Sequence, residues 1–439
     1  MSKKNLNEEN IIDLVKKITF KTIGCTEPVA IALAVAKAYK EIGGEIKLVT
    51  VSLDKNVYKN AMAVGIPGTN LKGLQLAIAL GLVCGDPSKS LLLLENATDE
   101  DVINAKKILT KNIIQIILNE EVNSLNIEVK IQTTNDEARV IIAECHDNIV
   151  LIEKNGKVTF HKIFDPKNES LYLDQYNFGD IKFDDLIKTI TNIPEQKIAY
   201  LLEGYELNKK AAEIGLKNSS GMGLGSGYKR LIDQGILSDD NFINKVKMVA
   251  SAAVDARMGG VKVPVFGCAG SGNHGIMFFI TVGMCFEKFR AKNSISLLHV
   301  YTIGLVILAA IKQKLGLLSS ICGGALAAGT AAAAAITYIL GGNSKHIINA
   351  INLMFGNIAG MICDGAKYGC AIKISSGVAC AIESAMLAIN DVNIPISDGI
   401  IGKDFDETIY NVGLLNSIGM REVDRTVLEM LKSKQRNGI

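Results

Sequence analysis

The chain has no tryptophan, and phenylalanine and tyrosine bring its aromatic content to only 5%. Its formal net charge is +2, with acids and bases interspersed. A protein that stacks bases or tracks phosphates needs aromatic faces and a basic footprint, so a nucleic-acid partner is not expected. No basic segment followed by an apolar core and a small-residue cleavage site opens the chain, so no signal peptide is expected. The nine cysteines are scattered without a secreted-domain pattern, which points to a reducing, cytoplasmic setting. Long apolar runs are also scarce. Leu297 to Ala310 falls short of the ~20 residues a membrane span needs. Gly323 to Gly342 is longer but mostly alanine and glycine, as in a tightly packed helical core. No membrane association is expected.

What the chain does have is length, glycine and cysteine in company. Its 439 residues allow two or three domains. Met361 to Ser376, MICDGAKYGCAIKISS, sets Cys363 and Cys370 in C-x6-C register with Gly365 and Gly369 between them. Upstream, Cys322 stands in ICGG, again beside glycines. Glycine lets a backbone pass close to a bulky partner. A single cysteine is often only a small core residue, and this spacing matches no common ferredoxin pattern. The shared glycine setting of all three nonetheless favours metal ligation, and three thiols without a fourth suggest a [4Fe-4S] cluster with one iron open.

The first part of the chain alternates helix and strand. The pattern predicts a helix over Asn7 to Phe20 and an alanine-rich helix to Tyr39 with Pro28 near its start. Strands are expected at Ile46 to Leu53 and Leu91 to Leu94, and a helix over Asp99 to Asn119. Strands then follow at Ile127 to Thr133, Ala138 to Cys145, Ile149 to Lys154 and Lys157 to Ile163, with an NG turn at Asn155. Polar DPKNES, from Asp165, reads as a surface connection, and a boundary is placed near Ile193. Beyond it the pattern is helical throughout, from Ala199 to Lys434. The fold class expected is α+β, with an α/β domain at 1–192 and an all-α domain at 193–439.

Three further stretches carry candidate chemistry. In GCTEP, Cys25 and Thr26 precede a helix N-terminus, where orphan N–H groups favour an anion and lower a thiol's pKa; Thr26 also suits an N-cap. GIPGTN, from Gly65, has the same glycine, hydroxyl and helix-start character. In GCAGSGNHG, Ser271, Asn273 and His274 add side-chain donors to a loop feeding a helix. His299 reads as core and His146 as ambiguous. SSGMGLGSG follows a helix, not a strand, so neither a dinucleotide fingerprint nor a P-loop is satisfied.

Taken together, GCTEPVAIALA, GIPGTNLKG, GCAGSGNHG and the ICGG…CDGAKYGC trio resemble the L-cysteine desulfidase family, relatives of the bacterial iron–sulfur L-serine dehydratases. The resemblance covers nearly the whole chain. It implies a β-type domain first, with IGCTEP where the dehydratases carry a serine-rich loop, and an all-helical α-type domain second. It assigns the cluster to Cys322, Cys363 and Cys370, and it matches Cys25 to an additional cysteine of the desulfidase branch. The implied activity is α,β-elimination of L-cysteine to sulfide, ammonia and pyruvate. Cys25 is then the candidate base, and Thr26, Glu27, Gly68, Thr69, Ser271, Asn273 and His274 are candidate substrate-binding residues. The small-molecule partner is an amino acid, and assembly as a homodimer is an option. An L-serine dehydratase, a non-catalytic iron or redox sensor and a membrane carrier are the alternatives. Lys373 is the best-placed rival as a Schiff-base lysine.

Overall fold

The computed structural model describes residues 3–69, 71–122, 125–164, 172–179, 181–289, 296–396 and 398–436. The polar connection beginning at Asp165 lies outside the described residues.

Six strands form one mixed sheet. Ile46–Leu53 lies between Ile114–Leu118, which is parallel to it, and Asn126–Thr133, which is antiparallel. An antiparallel meander through Glu137–Ala143, Ile149–Lys154 and Lys157–His161 completes it. Alternation sets the buried face: Val49, Val51 and Leu53 pair with Ile131, Val129 and Ile127, all fully buried. Helix Thr26–Ile42 covers that face, and Leu74–Val83 packs against this helix to close the smaller core. Asn155 and Gly156 both adopt positive φ, as a tight NG hairpin requires.

The larger core is helical. It is built from Phe242–Met258, Leu297–Leu315, Gly329–Ile339, Ser344–Ile358 and Cys370–Ala388. Ala331 to Ala335 are all fully buried, because small side chains let these helices approach closely. The chain's first helix, Glu8–Ile18, places Ile11, Leu14, Val15 and Ile18 in this same core, beside Leu173 and Tyr176. Strand Thr19–Ile23 then pairs antiparallel with Pro264–Cys268, with Phe20 opposite Gly267. The later region is therefore not purely helical, and the start of the chain is hydrogen-bonded to its middle.

Several expectations need correction. Asp99 to Asn119 is not one helix: the helix ends at Leu109, Asn112 takes a positive φ, and Ile114–Leu118 is an edge strand. Leu91 to Leu94 is no strand, since Pro87–Leu92 forms a 3₁₀ turn. The helical run expected from Ala199 to Lys434 is interrupted: helix Cys370–Ala388 opens inside the cysteine stretch, and Phe405–Leu414 and Arg421–Arg436 are joined by a π-helical turn. Among the described residues, two helices are long and apolar enough to cross a membrane, Leu297–Leu315 and Cys370–Ala388; 83% and 56% of their apolar windows are buried within the protein.

Candidate active site

Paired strands bring two turns of distant sequence together. After Thr19–Ile23 the chain turns at Gly24, and Cys25 takes the extended position just before helix Thr26–Ile42. After Pro264–Cys268 it turns through Ala269 and Gly270, both at positive φ, and Ser271 caps Gly272–Gly275 by accepting from the Asn273 N–H. Thr26 spans the gap, its hydroxyl 3.5 Å from the Gly270 carbonyl. A third loop meets a fourth where Ile321 bridges Ile362: the Cys322 N–H donates to Met361 O at 2.8 Å and the Cys363 N–H to Ser320 O at 2.6 Å. Cys370 opens its own helix.

These loops enclose one pocket, lined by Cys25, Glu27, Ser271, Asn273, His274, Cys322, Cys363 and Cys370 among others. Three of the expected residues do not line it. Thr26 is fully buried, and its hydroxyl donates to Glu27 Oε2 at 3.0 Å. Gly68 is exposed, and the Thr69 hydroxyl is used within its own loop, donating to Ile66 O and accepting from the Leu71 N–H.

All nine cysteines are free thiols. Among the described residues, no three His, Cys, Asp or Glu side chains converge closely enough for a single metal ion. Cys322, Cys363 and Cys370 all line the pocket, and an all-sulfur donor set is the chemistry by which iron–sulfur clusters are held. Burial and the neighbouring Cys363 push the Cys322 thiol up to about 12, and burial also raises Cys370. A cationic iron–sulfur core would relieve that penalty on the thiolates.

Cys25 differs from its sequence reading. The helix start does not make it acidic. Burial pushes the thiol far above its ordinary value, only partly offset by the Arg257 guanidinium beside it, and its Sγ–H points to Met258 Sδ at 3.9 Å. Thr26 is not the cap, since Cys25 occupies that position. His274 is held neutral by burial and by the nearby Lys312 charge. Its Nδ1 lies 3.1 Å from Ala269 O, so Nδ1–H is the donor and Nε2 keeps its lone pair. That Nε2 faces Gly323, where a Cβ would sit only 2.7 Å from it.

The sequence reading missed Asn60, Arg257 and Lys312, and it left His146 ambiguous. Glu27 Oε1 accepts from Asn60 Nδ2 at 2.9 Å, and His146 Nε2 lies 3.9 Å from the same oxygen. The Arg257 residue is 2% exposed and donates from Nη1 to Asn273 Oδ1 at 2.9 Å, while its Nε and Nη2 have no hydrogen-bond partner among the described residues. Lys312 is fully buried, donates to Leu317 O, and is depressed by burial to about 8. A charge inside an otherwise apolar helix, as in SAAVDARM or VILAAIKQK, was the available signal.

Two other motifs resolve as structural. In SSGMGLGSG, the buried Asp255 carboxylate takes the Met222 and Gly225 N–H groups, so those donors are already engaged. Lys373 donates to Ile362 O at 2.7 Å and pairs with Asp364; burial opposes its charge, but the Asp364 interaction raises its pKa, unlike a Schiff-base lysine.

Residues 88–429 match the serine dehydratase alpha chain family. The chain is 36% identical to a UPF0597 protein of Caldanaerobacter subterraneus over 97% of its length and 98% of the relative's. It is 39% identical to a UPF0597 protein of Parabacteroides distasonis, again over 97% and 98%. A UPF0597 protein of Clostridioides difficile is 37% identical over 96% of this chain and 98% of its own. The chain thus belongs to the serine dehydratase alpha chain family.

Proposed function

We propose that this protein is a cytoplasmic lyase that eliminates the β-substituent of a small amino acid, with L-cysteine as substrate and sulfide, ammonia and pyruvate as products. Cys322, Cys363 and Cys370 would hold a [4Fe-4S] cluster. When bound, that cluster would supply a Lewis-acidic iron for the leaving group. The observation that carries this reading is that three thiols from two separate loops face the same pocket as Glu27, Ser271, Asn273 and His274.

The residues divide the remaining work. Glu27, its oxygens held by Asn60 and Thr26, is oriented to receive an ammonium group. Ser271 and Asn273 line the wall where the rest of the substrate's polar end would lie. The Cα proton needs an acceptor. The sequence pointed to Cys25, but a thiol raised by burial stays protonated near neutrality. His274 lines the pocket with Nδ1–H donated to Ala269 O, so its Nε2 lone pair is the acceptor available there. Loss of the proton and of HS⁻ leaves aminoacrylate, which tautomerises to an imine and takes up water to give pyruvate and ammonia without the protein.

L-Serine dehydration is the second reading, favoured by the family match. An anaerobic assay of both amino acids side by side separates the two. Sulfide and pyruvate released in equal amounts from L-cysteine, faster than pyruvate from L-serine, is expected. The reverse order makes the protein a dehydratase.

A further inference from the structure

We propose that Arg257 is the clamp for the substrate's α-carboxylate, with Asn273 as its positioning residue. This rests on the amino-acid elimination reading and adds the group that recognises the acid end. Arg257 comes from the alanine-rich helix Phe242–Met258 and lines the pocket beside Cys25 and Asn273. The residue is 2% exposed, and among the described residues it has no carboxylate partner. A buried charge whose polar neighbours are the neutral Asn273 amide and the Cys25 thiol favours an anion.

The pattern of free donors specifies which anion. Nη1 is used, donating to Asn273 Oδ1 at 2.9 Å, while Nε and Nη2 have no hydrogen-bond partner among the described residues. These two nitrogens form one edge of the guanidinium, and their parallel N–H bonds match the two oxygens of a carboxylate. Gly272 packs close to that edge, where a side chain would collide with it: a Cβ there would lie 2.4 Å from Arg257 Nε and 3.0 Å from Nη2. Glu27, 6% exposed and lining the same pocket, supplies the opposite charge. A guanidinium and a carboxylate lining one pocket recognise a zwitterion, meaning an amino acid rather than an amine or a neutral thiol.

The test is calorimetric binding to the anaerobic holoprotein of three probes that cannot eliminate. L-alanine has both charged groups, L-alaninamide lacks the carboxylate, and propionate lacks the ammonium. The wild type should prefer L-alanine to L-alaninamide. Arg257→Gln should weaken L-alanine by roughly 10- to 100-fold, the scale of losing one or two charge-assisted hydrogen bonds, and should erase the preference. Arg257→Lys keeps the charge without the fork and should also bind weakly; it decides the matter if the glutamine variant does not fold. Visible absorption of each variant without ligand reports the cluster, and an unchanged spectrum is expected. A preference retained in both variants overturns the clamp. So does a spectrum altered before ligand is added, since the guanidinium would then serve the cluster. Arg257-dependent binding of propionate with no binding of L-alanine keeps the clamp but removes the amino-acid reading.

Discussion

Lys59 and Asp424 meet in the interior, Nζ to Oδ1 at 2.5 Å, although 365 residues separate them in sequence. Their side chains are 2% and 7% exposed. Lys59 Nζ also reaches Cys363 O at 3.2 Å, and Asp424 Oδ2 accepts from Ser320 Oγ at 2.6 Å. Ser320 O in turn receives the Cys363 N–H. One ion pair therefore holds both backbone groups of a proposed cluster ligand, from a helix of the small core and from the terminal helix.

Breaking that pair on one side should be costly. Lys59→Met leaves Asp424 buried without its cation, and a loss of about 3–5 kcal/mol is expected in chemical denaturation. The double variant Lys59→Met with Asp424→Leu should recover most of it, because paired charges and packed apolar groups are often close in energy. A single variant as stable as the wild type would show the pair to be incidental.

Burial lowers the pKa of both His274 and His146 below the ordinary 6.5. The unfolded chain then binds more protons than the folded one as pH falls below about 6.5. Stability contributed by these neutral imidazoles is complete above that pH and declines as pH falls through the window towards their folded values. Denaturation midpoints of the double variant His274→Gln with His146→Gln should fall less between pH 7 and 5 than those of the wild type. Parallel curves would show that neither histidine is held neutral by the fold.

Gly323 carries no side chain where His274 Nε2 would collide with one. Gly323→Ala must push the ring aside or shift the Cys322 turn. If His274 is the proton acceptor, turnover should drop about 10²–10⁴-fold, as when a general base is lost or misplaced, with little change in substrate KM. His274→Gln should fall by as much, and Cys25→Ser by much less. A steep loss confined to Cys25→Ser would return the base to the thiol.

Much of the fold was legible because its patterns are local. Alternation located the strands from Ile127 onward, and Asn155–Gly156 marked their hairpin. Ile114–Leu118 was not, because its apolar residues continue the helical rhythm of the preceding helix until Asn112 turns the chain. The pairing of Thr19–Ile23 with Pro264–Cys268 is invisible locally, since each five-residue strand finds its partner over 240 residues away. The cysteine trio and GNHG stood out through their glycines. Arg257 and Asn60 did not, because what matters is which atoms lack partners after folding. The same limit hid the burial that raises the Cys25 thiol: position at a helix start is a sequence feature, whereas burial is a tertiary one.

The first helix and strand also make a prediction about fragments. A piece beginning at residue 193 lacks Ile11, Leu14, Val15 and Ile18, which fill its core, and the strand that pairs Pro264–Cys268. It should be poorly folded alone and gain structure when residues 3–23 are supplied as a peptide. Circular dichroism and a melting transition decide it. A cooperative melt without the peptide would show the segment to be dispensable.

The most direct measurement of the central claim is the iron and inorganic sulfide content of anaerobically purified cysteine variants, read beside their visible spectra. Cys322→Ala, Cys363→Ala and Cys370→Ala should each lose the brown colour and most of both elements. Cys84→Ala, Cys145→Ala and Cys380→Ala, which lie outside the pocket lining, should retain about four irons per chain, the content of one [4Fe-4S] cluster. Full iron and sulfide in the first three variants would contradict the account.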